Sequence, residues 1–373
     1  MTERLAPPFR ADHVGSLLRP EPVRRVRIER KSGGITPAEL RAIEDEAIRE
    51  AVGRQEEVGL RVVTDGEIRR ESWHMDFYEQ IGGVVPTGGK GVVPFRNATG
   101  EVPFEVDGVR ITAPLKLTKT IFGEDFAFLK SVARATPKLT IPAPSVLHRR
   151  GGPALVDPKI YPDIEQVWSD LIAVYADEIA ALGALGCTYL QLDDTSFATL
   201  CDPAHRDAMK QLGVDGGRIH ETYIRLFNEG LKKKPATMAV CTHTCRGNFR
   251  SAWFAAGGYD FIAEALFNEL NVDGFFLEYD DERSGGFEPL RFVPKGKMVV
   301  LGLVTTKRRA LEAKDDLKRR IDEAARYLPL EQICLSPQCG FSSTLAGNDI
   351  SVEEQFAKLR LVVETAREVW GEA

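Results

Sequence analysis

At 373 residues, 43% hydrophobic and 28% charged, the chain has an ordinary globular composition, with enough apolar residues to bury a large core. Its formal net charge of −6 lacks the basic footprint of a nucleic-acid partner. No apolar run reaches the roughly 18 residues of a membrane span. The opening stretch MTERLAPPFR lacks the apolar core of a signal peptide. Six cysteines are too thinly spread for a disulfide framework, so a reduced, cytoplasmic setting is expected.

The first apolar run is ADHVGS near Ala11, closing on Ser16. A helical pattern follows over Pro37 to Val58, with Glu44, Glu46 and Glu50 on its expected wet side. LRVVTDGE near Leu60 reads as the second strand and runs into Asp65 and Glu67. Gly82 to Leu117 then breaks the alternation. GGVVPTGGKGVVPF, followed by the polar–apolar alternation of EVPFEVDGVRIT, predicts a β-hairpin leaving the sheet after the second strand. Such a hairpin serves as a lid, as a contact in a homo-oligomer, or as a decorative insertion.

Strands resume with KLTIPAP near Lys138 and, after a helix over Asp163 to Leu185, TYLQLDD near Thr188. TMAVCTH near Thr237, DGFFLEY near Asp273 and MVVLGLV near Met298 follow. A helix over Arg308 to Tyr327 precedes ICLSPQC near Ile333, and a last helix covers Val352 to Trp370. Eight β-rich runs alternating with helices predict an α/β fold, a (β/α)8 TIM barrel. One domain over 1–373 is expected, with the hairpin as an insertion at about 82–117.

In a parallel barrel the strand C-termini carry the active site. Polar residues recur there: Ser16, Asp65 and Glu67, Asp193 and Asp194, His243 and Cys245, Glu278, and Cys339. A carboxylate at the end of a buried strand is costly unless paired or bound. One or two can cap the next helix; so many at one rim favour a site. His243, Cys245, Glu278 and Cys339 are the strongest subset. Two thiolates, an imidazole and a carboxylate make a tetrahedral zinc set, with the carboxylate as a weaker, exchangeable ligand that would admit a substrate. Cys241, Cys334 and Cys187 are expected to be core residues. His13 and His74 are candidates to line or close the pocket.

VGS (Val14 to Ser16), DGE (Asp65 to Glu67), LQLDD (Leu190 to Asp194), THTC (Thr242 to Cys245), LE (Leu277, Glu278) and SPQCG (Ser336 to Gly340) together resemble the cobalamin-independent methionine synthase family. They match its catalytic C-terminal half, in order, from one end of the chain to the other. The ordered pair THTC and SPQCG is the most specific part. RADHVGSLLRP and VTDGEIRR resemble the short, methionine-synthase-like members.

The resemblance implies Zn2+ held by His243, Cys245, Glu278 and Cys339. It implies homocysteine, or another small thiol, with Ser16 at its carboxylate and Glu67 and Asp193 at its ammonium. Methyltetrahydrofolate or a methylcorrinoid would supply the methyl group that makes methionine. A thiol bound to zinc is deprotonated, whereas a free thiol, with a pKa near about 8.5, is mostly protonated at neutral pH.

Two departures bear on the donor. Full-length members carry a second barrel that helps hold polyglutamylated folate, and this sequence has no counterpart. The family also has an Asp-x-His in the strand ending near Gly302. This chain reads GLVTTK, placing Thr305 and Lys307 there, so Lys307 is the candidate to supply a proton or bind an anionic donor. Other readings stand beside methyl transfer. One is another zinc thiol alkyltransferase such as epoxyalkane:coenzyme M transferase, with Arg10, Arg19, Arg69 and Arg70 available to a sulfonate. The other is a non-catalytic zinc-binding barrel with a closed four-ligand site.

Overall fold

The computed structural model describes residues 4–152 and 155–373. Its strands are β1 (Val62–Val63), β2 (Gly82–Asn97), β3 (Gly100–Lys116), β4 (Thr136–Pro137), β5 (Leu139–Pro142) and β6 (Tyr189–Asp194). β7 (Ala239–Thr244), β8 (Gly274–Glu278), β9 (Met298–Val304) and β10 (Ile333–Pro337) complete them. β1 pairs with β4, and β5 through β10 form a six-stranded sheet in chain order, every pair parallel. Between β4 and β5, Lys138 N donates to Val63 O at 2.8 Å and joins the two ladders.

The first expected run, ADHVGS, contributes a parallel bridge rather than a full strand: Ala11 pairs with Leu335 of β10. The Asp12 carboxylate accepts from the backbone N–H groups of His13 (2.8 Å) and Phe9 (3.3 Å), which takes them out of the ladder. The same segment reaches the second run, since Leu17 N donates to Gly66 O at 2.9 Å and Thr64 Oγ1 donates to Gly15 O at 2.6 Å. The eight runs therefore succeed one another around the (β/α)8 arrangement in sequence order.

β6, β8, β9 and β10 are buried at every residue, as parallel strands covered on both faces must be. Phe9, Val14, Tyr189, Cys241, Phe276, Val300 and Cys334 form one apolar cluster, so Cys241 and Cys334 serve as core thiols. Outside lie helices over Pro37–Glu57, Ile164–Ala184, Lys314–Ala324 and Val352–Trp370. Capping boxes at Thr36/Glu39 and Ser351/Glu354 start the first and last of these.

Two local expectations fail. Glu44 is buried rather than wet, because Arg27 of the preceding helix meets it at 2.7 Å. The helix expected from Arg308 starts at Lys314. The Glu312 carboxylate accepts from Thr305 N (2.9 Å) and pairs with Lys358 (3.2 Å), tying the preceding residues down as a loop.

The hairpin forms where the sequence puts it. β2 and β3 pair antiparallel from Val84 opposite Ile111 to Asn97 opposite Gly100. Reciprocal backbone bonds between Arg96 and Trp253 (2.7 and 2.8 Å) pin its outer part to the loop after β7. Among the described residues, no helix is long and apolar enough to cross a membrane.

Candidate metal centre and active site

β7 sorts its residues by face. Thr242 Oγ1 donates to Leu192 O (2.9 Å), and Thr244 Oγ1 bonds Tyr259 OH (3.2 Å). The alternate residues Cys241, His243 and then Cys245 take the opposite face. Cys241 lies in the apolar cluster, while His243 and Cys245 line a cavity of about 280 Å³. His243 sits opposite Asp193 of β6 in register, and Cys245 N donates to Asp194 O at 2.7 Å. Glu278 ends β8, and Cys339 stands two residues past β10.

These four side chains, far apart in sequence, present one ligand atom each within 4.8 Å of one another. The Cys245 and Cys339 sulfurs are 3.6 Å apart. Both ring nitrogens of His243 are buried without a hydrogen-bond partner. An imidazole desolvated on both nitrogens is costly unless something absent from the protein atoms binds it. The donor set therefore fits a borderline-soft divalent metal.

Electrostatics at the cluster run the same way. The Cys339 thiol is pulled down to about 5 by the hydrogen bond from Cys245 and by His243. The same bond, with burial, pushes the Cys245 thiol up. Burial would lower the His243 imidazole, but Cys339, Asp193 and Glu278 hold it above its ordinary value. Against its burial, Glu278 is kept below the usual carboxylate range by Lys307, Arg283 and His243. One of its oxygens accepts from Arg246 N (2.8 Å), the other from Arg283 Nη2 (3.2 Å).

Ser16, Glu67 and Asp193 line the same cavity. Glu67 is held in the left-handed region at φ +54°, directly after Gly66 at φ +66°. Asp65 Oδ1 and Thr64 Oγ1 accept from the N–H groups of Glu67 (2.8 Å) and Gly66 (3.1 Å) and fix this uncommon turn. Glu67 Oε1 accepts from Thr140 Oγ1 at 2.8 Å, with Arg70 3.6 Å away, while Oε2 has no partner. Burial raises the Glu67 pKa, and raises that of Asp193 to about 7. Asp194, by contrast, is structural: it accepts from Ser145 Oγ and, at 2.7 Å, from Phe197 N.

Beneath lies a buried polar floor not expected from the sequence. Lys138 Nζ donates to Asp12 (2.8 Å) and to Gln191 Oε1 (3.2 Å), and Gln191 Nε2 donates to Asp193 Oδ1 (2.7 Å). Gln191 thus orients one oxygen of Asp193 and is itself held by the buried Lys138. A lysine inside the otherwise apolar KLTIP run was the available signal.

Other candidates fall elsewhere. Glu278 is fully buried and outside the cavity lining, so it backs the site. Lys307 also lies outside that lining, with its buried Nζ lacking a partner. Neither His13 nor His74 lines the cavity; Trp73 does. His74 is buried, with Nδ1 3.0 Å from Ser72 Oγ. The hairpin covers the mouth, adding Phe95, Phe104, Val106 and glycines to the lining. Arg149 and Arg150, which follow β5, were not foreseen and complete it.

Residues 9–368 match the family model described as the catalytic domain of cobalamin-independent synthase. The chain is 45% identical over 370 residues to the uncharacterized protein YxjG of Bacillus subtilis (strain 168), covering 99% of this chain and 96% of that one. A Listeria monocytogenes crystal structure, solved as a candidate vitamin-B12 independent methionine synthase, superposes with a TM-score of 0.78 at 39% identity. That match covers 99% of this chain and all of the other. The 5-methyltetrahydropteroyltriglutamate–homocysteine methyltransferase of Thermotoga petrophila is 22% identical over 363 residues. There the alignment takes in 97% of this chain but 44% of the Thermotoga protein.

Proposed function

Since the chain belongs to the catalytic-domain family of the cobalamin-independent synthases, we propose that it is a zinc-dependent S-methyltransferase. In this reading it converts homocysteine to methionine in the cytoplasm, with methyltetrahydrofolate or a methylcorrinoid as donor. It would work as one barrel, with the hairpin as its insertion. The observation that carries the reading is the gathering of His243, Cys245, Glu278 and Cys339 around one point, with both His243 nitrogens unpartnered.

Those four residues would hold the zinc, which when bound supplies a Lewis acid that keeps a thiol ionised at neutral pH. The protein's own residues do the rest. Ser16, beside the backbone of the Cys339–Ser342 loop, would receive the homocysteine carboxylate. The unpartnered Oε2 of Glu67 and the carboxylate of Asp193 would receive the ammonium. Asp193, whose pKa burial raises, would be drawn to its ionised form by a cation beside it. Fixing the amino acid at three points orients its sulfur for in-line attack on the donor methyl carbon. The S–C bond forms as the donor N–CH3 or Co–CH3 bond breaks, and the bonding pair stays on the donor. The hairpin and its phenylalanines exclude water over this step. Lys307, whose charge acts on Glu278 and Cys245, would help balance the anionic ligands and is the proton source assigned to the leaving group.

The deciding experiment is turnover by purified, zinc-loaded protein, with homocysteine and coenzyme M crossed against methyltetrahydrofolate, methylcobalamin and an epoxide. Methionine from homocysteine and one of the methyl donors is expected. Alkylation of coenzyme M alone would replace the reading with the alkyltransferase one. Zinc coordination that does not change when thiol is added would favour a structural site.

A further inference from the structure

Arg149 and Arg150 stand side by side at the end of the helix Pro144–Gly151, directly after β5, and both line the cavity. They are half-buried, and neither side chain makes a hydrogen bond or an ion pair with any described residue. Arg246, also in the lining and without a hydrogen-bond partner at its guanidinium, is instead fully buried against the Tyr259 ring. The contrast with the four arginines that the sequence offered to an anion is sharp. Arg10 donates to Glu331 O and Ile333 O, and Arg19 to Leu17 O, Ser342 O and Arg70 O. Arg69 is held by Asp45 and Asp125, and Arg70 by Thr140 and Glu67. The four arginines that the sequence offered to an anion are therefore all occupied, and none lines the cavity.

Two unpaired guanidinium groups in neighbouring positions repel each other. Burial, and then this repulsion, lower Arg150 to about 10. Asp194 acts on Arg149 only at a distance, because its own oxygens are taken by Ser145 and Phe197. Such a pair gains most from an anion that neutralises both charges, through the forked geometry guanidinium offers to carboxylate, sulfonate or phosphate. The surroundings also suit a ligand with an apolar body: Phe254 lies under Arg149, with the guanidinium carbon 5.4 Å from the ring centre, and Phe95 stacks on Phe254 at 5.5 Å.

We propose that Arg149 and Arg150 form an anion site for the second substrate, and that the methyl donor enters beneath the hairpin with an anionic group on this pair and an apolar portion against Phe254 and Phe95. The assignment to the donor rests on the reading above, in which Ser16, Glu67 and Asp193 take the amino-acid end of the thiol. Those acids would repel the donor's anion, and the arginines would repel the thiol's ammonium, so the two ends of the cavity are not interchangeable. Cys245 and Cys339 line the same cavity.

The test begins without turnover. Inorganic sulfate and phosphate are titrated, at ionic strength held constant with chloride, into zinc-loaded wild-type protein and into the Arg149→Gln/Arg150→Gln double variant, by calorimetry and thermal shift. Saturable binding to the wild type, weakened about tenfold or more in the variant, is expected. No saturable binding to the wild type, or equal binding to both proteins, overturns the site. The second arm measures KM. With whichever methyl donor supports turnover, the variant should raise the donor KM about 10- to 100-fold and leave the homocysteine KM within about threefold. A rise confined to the thiol KM overturns the assignment to the donor. Failure of the transferase reading would show separately, as a wild-type protein that binds the anions yet forms no methionine.

Discussion

Gly340 is where the fold and the proposed chemistry touch most closely. It follows Cys339 directly, and a Cβ added there would overlap Ser16 Oγ while lying 3.1 Å from Ser16 Cβ and 3.3 Å from Ser16 N. The loop cannot simply back away, because Phe341 N donates to Ser16 O at 2.9 Å and Asn248 Nδ2 donates to Gly340 O at 2.7 Å. Rotating the Ser16 hydroxyl would give up its long bond from Ser342 N (3.4 Å) and still leave the two Cβ atoms in close contact. Overpacking of this kind costs about 1–3 kcal/mol, and the lost bond about 1 kcal/mol more. Gly340→Ala should thus lose about 2–4 kcal/mol in denaturant unfolding.

Activity should fall further than stability, since a displacement of about 1 Å at a substrate-positioning group costs about 100-fold. The variant Ser16→Gly/Gly340→Ala removes the obstructing hydroxyl and Cβ. It should recover about 1.5–3 kcal/mol of the loss, appearing as a coupling energy in a double-mutant cycle, while remaining poorly active because the proposed carboxylate contact is gone. Additive stabilities in that cycle, or a Gly340→Ala protein within about 0.5 kcal/mol of wild type, would refute the close approach of the two loops.

Three further outcomes are expected. Cys339→Ser should lose both bound zinc and methionine formation, because a hydroxyl replaces a thiolate ligand; full zinc occupancy by elemental analysis would remove Cys339 from the ligand set. Asp193→Asn should raise the KM of homocysteine about 10- to 100-fold and that of a thiol lacking the amine by less than about threefold, and equal rises would deny it the ammonium. Glu178 is buried behind the barrel, where both its oxygens accept from Ile121 N (3.0 and 3.1 Å), and burial raises it to about 7. A carboxyl raised in the folded state contributes fully below its unfolded value near 4.5 and loses that contribution as pH climbs to about 7. Glu178→Gln should therefore match wild type near pH 4 and exceed it by up to about 3 kcal/mol at pH 8, and parallel stability–pH curves would argue that Glu178 is not desolvated.

What could be read from the residues alone depended on whether a signal was local. His243, Cys245, Glu278 and Cys339 each end or follow an apolar run, so the strand period and the barrel rule place all four at one rim. Cys241 could be set apart from them because the same period puts it one layer down. Arg149 and Arg150 carried no such mark: HRR at the end of a short helix looks like any solvated basic turn, and only the cavity shows that they lack partners. Glu44 failed for the complementary reason, since its partner Arg27 belongs to a different helix. Lys138 is a charge at the head of the KLTIPAP run, but its role needs Asp12 and Gln191, which arrive from elsewhere in the chain.

The placement of Glu278 bears on how the proposed ligand set would behave if it holds a metal. His243, Cys245 and Cys339 face the cavity, whereas Glu278 sits behind them, held by Arg246 N and Arg283. A ligand with partners of its own can release a metal without being stranded as an unpaired buried charge, because Arg283 and Lys307 already offset it. Were the proposed metal held here, Glu278 would be the ligand whose release leaves the least uncompensated charge in the rear wall. The hydrogen bonds behind Glu278 are thus compatible with the proposed exchange of this ligand, whichever donor would bring the methyl group.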